Sequence, residues 1–360
     1  MTINNVVPTI RDLFLRFTYH LYVTRKIKYR QYNELWESNF EAIPDSIQEI
    51  LCSSETDTFV SKEKEIASLN QFQIHSFHDE TYPSILRNYK GMPPVLYSRS
   101  SIDIQLNHLH NIAIVGSRKA SSYGKKHAYR FAEALSSFGF TIVSGMAYGI
   151  DSESHKGALE QQGKTIAVVG TGVDICYPKT HANLMKSIEK NGCILSEFPI
   201  GTAPKPYHFP ARNRIISGIS MVVIVMEAAI KSGAMITADL AIDQGKEVFA
   251  LPGSVDSPTS QGTNELLKQG VRVLTQVEDI TSLPCCPKEQ SNAVIQKESF
   301  TPVEKSILEL LQTEDLDFST LSERLPISPS ELMKNLTLLE IRGSIRKEKN
   351  QYSLYRSSLF

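Results

Sequence analysis

The first 90 residues contain no glycine: the earliest of the chain's 19 is Gly91. Glycine-dependent tight turns are therefore excluded from residues 1 to about 75. No apolar run approaches the roughly 18 residues that cross a bilayer, and the N-terminus lacks a signal peptide's charged-then-apolar layout. The five cysteines, Cys52, Cys176, Cys193, Cys285 and Cys286, are an odd set without metal-ligand spacing. The adjacent pair at 285–286 reads as incidental, so a reducing cytoplasm, no metal and no membrane are expected. Charge of one sign is lacking too: 38 Lys and Arg against 39 Asp and Glu leave a net charge of −1. Any nucleic-acid role must then rest on a local concentration of positive charge.

What is present divides into regions. A chain of 360 residues should hold two or three domains, since single cores stop growing at about 250 residues. The opening segment reads as helical, with Leu13, Phe17, His20, Leu21 and Trp36 near helical spacing. Residues 82–101 form a proline-punctuated lead-in expected along the next domain's edge. From residue 111, short β-branched runs alternate with amphipathic ones. Strands are predicted at 112–116, 141–145, 165–170, 193–197, 221–226, 247–253 and 271–274, with helices between most of them. Continuous apolar strands alternating with helices indicate a parallel sheet buried on both faces, whose ligands bind beyond the strands' carboxyl ends. Those ends read Gly116-Ser117-Arg118, Ser144-Gly145, Gly170-Thr171-Gly172, Ser196-Glu197 and Pro252-Gly253, small enough for something to lie across them.

A polar, proline-flanked linker (284–299) leads to a third unit. Val303, Ile307, Leu310 and Leu311 share one helical stripe, and residues 318–325 read as a second short helix. Ser328 is a predicted N-cap, with Pro329 at the first helical position and Glu331 completing a capping box. That helix should end at Gly343 and a hairpin should follow, which is a winged-helix arrangement.

Two acid-free basic stretches stand out. Residues 111–132 carry Arg118, Lys119, Lys125, Lys126 and Arg130; residues 199–218 carry Lys205, Arg212 and Arg214 among Tyr207, His208 and Phe209. Guanidinium forks pair with phosphate oxygens, and glycine-rich turns and helix N-termini add N–H donors. Aromatic rings beside them can stack on unpaired bases, so the combination suits a single strand. Lys125, Lys126 and Arg130 read as a solvated helix face, whereas Arg118, Arg212 and Arg214 read as functional residues in loops. A nicotinamide cofactor is not expected. Gly116-Ser117-Arg118 breaks the G-x-G-x-x-G spacing, and no acid closes the second strand. Asp151, Glu153 and His155 lack an accompanying nucleophile, and Asp151 reads as a helix cap. Glu227 could bind a ribose hydroxyl or a base edge, or hold the following loop.

Together, "YPSIL…PPVLY", "IAIVGSRKASSYG", "IVSGMAYGIDSESHKGAL", "GKTIAVVGTGVDICYPKTHANL", "ILSEFPIG", "HFPARNRIISGIS", "VIVMEAAIKSGAMITADLA" and "VFALPGSVDSPTSQGTNELLKQGV" resemble the DprA/Smf DNA-processing family of bacterial transformation. They run in family order over residues 82 to about 280. The resemblance implies an extended Rossmann-like, doubly wound α/β domain with a mostly parallel sheet (76–283). It would stand between a small helical N-terminal domain (1–75) and a winged-helix domain (300–360). It implies a non-enzymatic protein that binds single-stranded DNA, dimerises, and loads a RecA-type recombinase on incoming strands, with no cofactor. The implied DNA-binding set is Gly116, Ser117, Arg118 and Lys119; Lys205, Phe209, Arg212, Asn213 and Arg214; and Ser232, Gly233 and Thr237. Two features depart from the family pattern. The N-terminus lacks glycine for helix-hairpin-helix turns, and residues 300–360 carry eight basic residues against nine acids. That balance points the last domain toward protein contact or regulation. Two alternatives compete. One is a nucleotide-processing enzyme akin to nucleoside-monophosphate phosphoribohydrolases, from a loose likeness at "ALPGSVDSPTSQGTNEL". The other is a transcription regulator, from the winged helix alone.

Overall fold

The computed structural model describes residues 10–37, 40, 43–108, 110–160, 162–284, 301–341, 345–348 and 351–354. They belong to two compact units, Met1–Glu289 and Gln290–Phe360.

The first unit opens with helices α1 (Ile10–Thr18), α2 (Tyr29–Glu37), α3 (Asp45–Leu51) and α4 (Ser54–Leu69). Phe17, Leu21, Tyr32, Leu35, Ile47 and Leu51 make a core of their own. Phe14, Leu15 and Val60 pack instead into the core beside the sheet. Without glycine, this segment still turns through left-handed backbone: Arg25, Phe40 and Gln71 have φ of 56°, 58° and 58°. Each such residue costs about 1 kcal/mol. A π-helical turn, Tyr19–Val23, precedes Arg25.

Nine strands follow: β1 (Gln73–Ser76), β2 (Val95–Arg99), β3 (Asn111–Val115), β4 (Thr141–Ser144), β5 (Thr165–Val168), β6 (Gly192–Ser196), β7 (Val222–Val225), β8 (Glu247–Ala250) and β9 (Arg272–Val273). They pair in the order β1-β2-β6-β5-β4-β3-β7-β8-β9. The pairs from β6 through β9 are parallel, and β1 and β2 add an antiparallel edge. The predicted strands thus form the parallel part; the lead-in runs along its edge as the unpredicted β2, and the equally unpredicted β1, which precedes the lead-in, pairs outside it.

Alternation explains the burial on both faces. Ile112 and Ile114 of β3, with Val222 and Ile224 of β7, enter the core beneath α5 (Ser122–Ser137) and α6 (Ile150–Glu160). Ala113, Val115, Val223 and Val225 enter the opposite core. There they meet α7 (Ala182–Asn191), α8 (His208–Ile219) and α9 (Gly233–Asp243), which contribute Met185, Ile215 and Ala238. Two further helices, α10 (Gln261–Lys268) and α11 (Glu278–Thr281), complete the unit. The chain runs from β3 outward to β6, then returns to β7 on β3's other side. Such a reversal opens a crevice at the carboxyl ends of β3 and β7, whose following helices, α5 and α9, leave to opposite faces of the sheet.

The second unit contains α12 (Pro302–Thr313), β10 (Leu316–Asp317), α13 (Phe318–Arg324), α14 (Pro329–Ile341), β11 (Ile345–Glu348) and β12 (Gln351–Leu354). Ile307, Leu311, Leu321, Leu332, Leu336 and Ile345 are buried among these elements. The Ser328 hydroxyl accepts from the Glu331 N–H at 3.3 Å. A reciprocal capping box, which the sequence reading missed, joins Thr301 and Glu304. Residues 285–299 of the predicted linker, with Cys285 and Cys286, and Arg342, Gly343, Lys349 and Arg356 lie outside the described residues.

Candidate nucleic-acid interface

The turn after β3 is held by main chain on both sides. The Ser117 N–H donates to the Glu227 carbonyl at 2.7 Å, and the Ile150 N–H donates to the Ser117 carbonyl at 3.2 Å. A Cβ on Gly116 would stand 2.5 Å from the Ile150 side chain and 2.9 Å from the Glu227 carbonyl. Gly149 (φ 78°) passes so close that its Cβ would meet the Ser117 carbonyl at 2.2 Å. Gly116 serves packing here; Arg118 and Lys119, next along the turn, are exposed.

Both line a cleft of about 920 Å³ beyond the carboxyl ends of β3 and β7. The Arg118 guanidinium stands 5.1 Å from the Phe209 ring centre, and Tyr177 lies 5.3 Å from the same ring. Gly170 makes room for Phe209: its Cβ would be 3.0 Å from the ring. Opposite, Ser232 precedes α9 without a capping hydrogen bond, and its buried hydroxyl has no partner among the described residues. Gly233 is open above its backbone. The Asn213 amide and the Thr237 hydroxyl both donate to the Gly233 carbonyl, at 3.1 Å each, and fix this helix start against α8.

Arg212 and Arg214 require a correction. They were expected in loops, but both lie within α8. Pro210 falls in the helix's first turn, where a missing N–H breaks no hydrogen bond. Arg212 is 3% exposed and donates to the carbonyls of Gly145 and Val168 at the ends of β4 and β5. Burial pulls its pKa down to about 10, against the opposing pull of Asp151. It forms the cleft's floor. Arg214 is absent from the cleft's lining. Its fork embraces Glu197 at 2.7 and 2.6 Å, its Nε donates to the Gly91 carbonyl, and Glu197 also accepts from Tyr22 and Tyr29. Burial works against its charge, but Glu197 and the tyrosines outweigh this and hold the pKa above its ordinary value. Lys205 also lies off the lining, with Nζ 6.0 Å from the Tyr207 ring.

The acids resolve as well. Asp151 is the second residue of α6 rather than its cap, and it accepts from the Ala147 N–H at 3.3 Å. Burial raises its pKa and Arg212 opposes the rise. Glu227 binds other segments than the loop that follows it: it accepts from the Ser121 N–H (2.8 Å), the Ser121 hydroxyl (2.6 Å) and Thr259 (3.2 Å), pinning the start of α5. Lys125 and Lys126 are solvated, as expected, whereas Arg130 is half-buried. Among the described residues no cluster of His, Cys, Asp and Glu could hold a metal, and no helix is long and apolar enough to cross a membrane. Tyr177 and Lys231, which also line the cleft, were missed. The only signal for Tyr177 was a Tyr-Pro step shortly after the Gly170-Thr171-Gly172 strand end.

A family model described as DNA recombination-mediator protein A matches residues 73–283. Protein Smf of Escherichia coli is 38% identical over 277 residues, covering 74% of this chain and 73% of its own. The X-ray structure of DNA processing protein A from Streptococcus pneumoniae superposes with a TM-score of 0.62 at 32% identity, over 78% of this chain and 98% of that one. DNA processing protein A from Helicobacter pylori, whose structure is described for its single-stranded DNA binding mode, gives a TM-score of 0.53 at 32% identity. It covers 59% of this chain and 96% of its own. The mixed α/β sheet, the cleft at its reversal and these likenesses agree: the chain belongs to the DNA recombination-mediator protein A family.

Proposed function

We propose that this chain is a non-enzymatic single-stranded DNA-binding recombination mediator, protecting incoming DNA and loading a RecA-type recombinase during natural transformation. The observation that carries this reading is the Arg118–Phe209–Tyr177 group at the sheet's reversal, a cation and two rings facing one cleft. A phosphate can pair with Arg118 and Lys119, another can meet the open start of α9 at Ser232 and Gly233, and a base can stack on the rings. Gly116, Ser117 and Thr237 shape this surface, while Arg212 and Asn213 hold it from beneath. The Helicobacter relative's single-stranded DNA binding supports the same role here. Of the acids lining the cleft, Asp151 is buried beside Arg212 and Asp239 is exposed at the surface, and Glu227 nearby is held on the start of α5, which favours binding over hydrolysis of a nucleotide.

In this reading the protein acts in the cytoplasm as a homodimer, without cofactor, through a Rossmann-like domain at 76–283. Residues 1–75 act as a helical domain, 284–299 as a linker, and 300–360 as a winged helix. Three helices with a three-stranded sheet support that last assignment, and its charge balance suits regulation better than duplex reading. The test is a gel-shift series with single- and double-stranded oligonucleotides across salt concentrations. Single strands should bind more tightly, and Arg118→Ala should weaken them about tenfold and flatten the salt dependence by about 0.7. Unchanged affinity in Arg118→Ala at moderate salt would refute the assignment of the cleft.

A further inference from the structure

We infer that the single-strand path does not end at the cleft but continues over Pro206 onto a second cation–aromatic station built by Tyr207, Lys205 and Arg25. This rests on the reading of the cleft given above. Pro206 lines the cleft, and its two neighbours in sequence are Lys205 and Tyr207, so the station is continuous with the proposed interface. Tyr207 is half exposed. Behind it, His208 packs edge-on at 4.7 Å and stacks on Phe198 at 4.0 Å, with His208 Nδ1 3.0 Å from the Gly170 carbonyl. The ring is thus fixed in place before any ligand arrives, which lowers the entropy cost of stacking.

The cation comes from a distant part of the chain. The Arg25 guanidinium stands 4.9 Å from the Tyr207 ring centre and hydrogen-bonds its hydroxyl. Lys205 adds a second positive charge at 6.0 Å. Two uncommon backbone features deliver Arg25: the π-helical turn Tyr19–Val23 and Arg25's own left-handed conformation. π-turns and strained non-glycine residues recur at functional sites, where the strain is retained for what it positions. The station repeats the chemistry of Arg118 and Phe209 two residues further back along the chain, so successive nucleotides can be handed from one ring to the other. It also gives Lys205 a place on the DNA path that the cleft alone does not provide.

The experiment compares thymidine oligonucleotides of about 6 and about 20 nucleotides, bound to the full chain and followed by fluorescence anisotropy. Arg25→Ala should weaken the longer one about 3- to 10-fold, reduce its salt slope by about 0.7, and leave the shorter one unchanged. Tyr207→Ala should act likewise, while Tyr207→Phe retains affinity. Arg118→Ala should weaken both lengths. If Arg25→Ala and Tyr207→Ala bind both lengths as wild type while Arg118→Ala does not, the path ends at the cleft and this inference is overturned. If Arg118→Ala also binds as wild type, the cleft reading fails and the extension falls with it.

Discussion

Arg214 offers the sharpest test, because its sequence context and its structural surroundings make opposite predictions. Beside Arg212 in "FPARNR" it reads as a phosphate ligand; in the fold it is bound to Glu197, whose side chain is 0% exposed. Arg214→Ala would leave that carboxylate buried with only the Tyr22 and Tyr29 hydroxyls, and would strip the Gly91 carbonyl of its donor. Breaking one side of a buried ion pair costs about 3–5 kcal/mol, and the tyrosines place this case near the lower end. At a urea slope near 3 kcal/mol per molar, the midpoint should fall by about 1 M. Trp36, the chain's single tryptophan, packs 4.1 Å from Phe77 and reports on this unit by its fluorescence. Arg214→Met combined with Glu197→Gln removes both charges and should recover most of the loss. Single-strand affinity per folded molecule should be unchanged. A variant as stable as wild type that binds DNA tenfold more weakly would refute the argument.

Two further predictions concern packing and pH. Gly124→Ala should destabilise by about 1–3 kcal/mol in the same urea assay, because its Cβ would fall 2.3 Å from the Glu227 carboxylate, which three hydrogen bonds hold in place. Helix propensity alone predicts the opposite sign, a gain of up to about 1 kcal/mol, so a stabilised variant would show Glu227 free to move. Glu63 is buried on α4, and burial raises its pKa from 4.5 to about 7. The folded chain keeps this proton where the unfolded chain has released it. The stabilisation is therefore complete below pH 4.5 and is lost as pH rises to about 7, by up to about 3 kcal/mol. Glu63→Gln should flatten that part of the stability profile and exceed wild type at pH 8; parallel profiles would exclude Glu63 as the source.

The parallel strands were legible because a doubly covered strand is apolar at every position and ends where a small residue turns the chain, as "IAIVG" and "TIVSG" do. The edge strand β1 was not, since "QIHS" is short and half polar and owes its conformation to pairing with β2. In the candidate site, Arg118 was legible from its turn. Arg212 and Arg214 looked alike because each partner lies far away in sequence. Carbonyls at the ends of β4 and β5 claim one, and Glu197 at the end of β6 claims the other. Proline and asparagine around them suggested a loop, but a proline in a first helical turn interrupts nothing.

The clamp on the β3 turn has a consequence for substitution tolerance. Its hydrogen bonds run from Ser117 to Glu227 and from Ile150 to Ser117 entirely through main-chain atoms, which every amino acid except proline supplies. Exchanging the Ser117 side chain leaves those donors and acceptors where they are, whereas Glu227 and Ile150 carry buried side chains with contacts of their own. Only an added Cβ at Gly116 or Gly149 intrudes between the backbones. Around this turn a saturation scan would therefore be inverted from the usual order. The two residues without side chains should be the least replaceable, and the chain can vary what Arg118's neighbours present to a ligand without moving Arg118 itself.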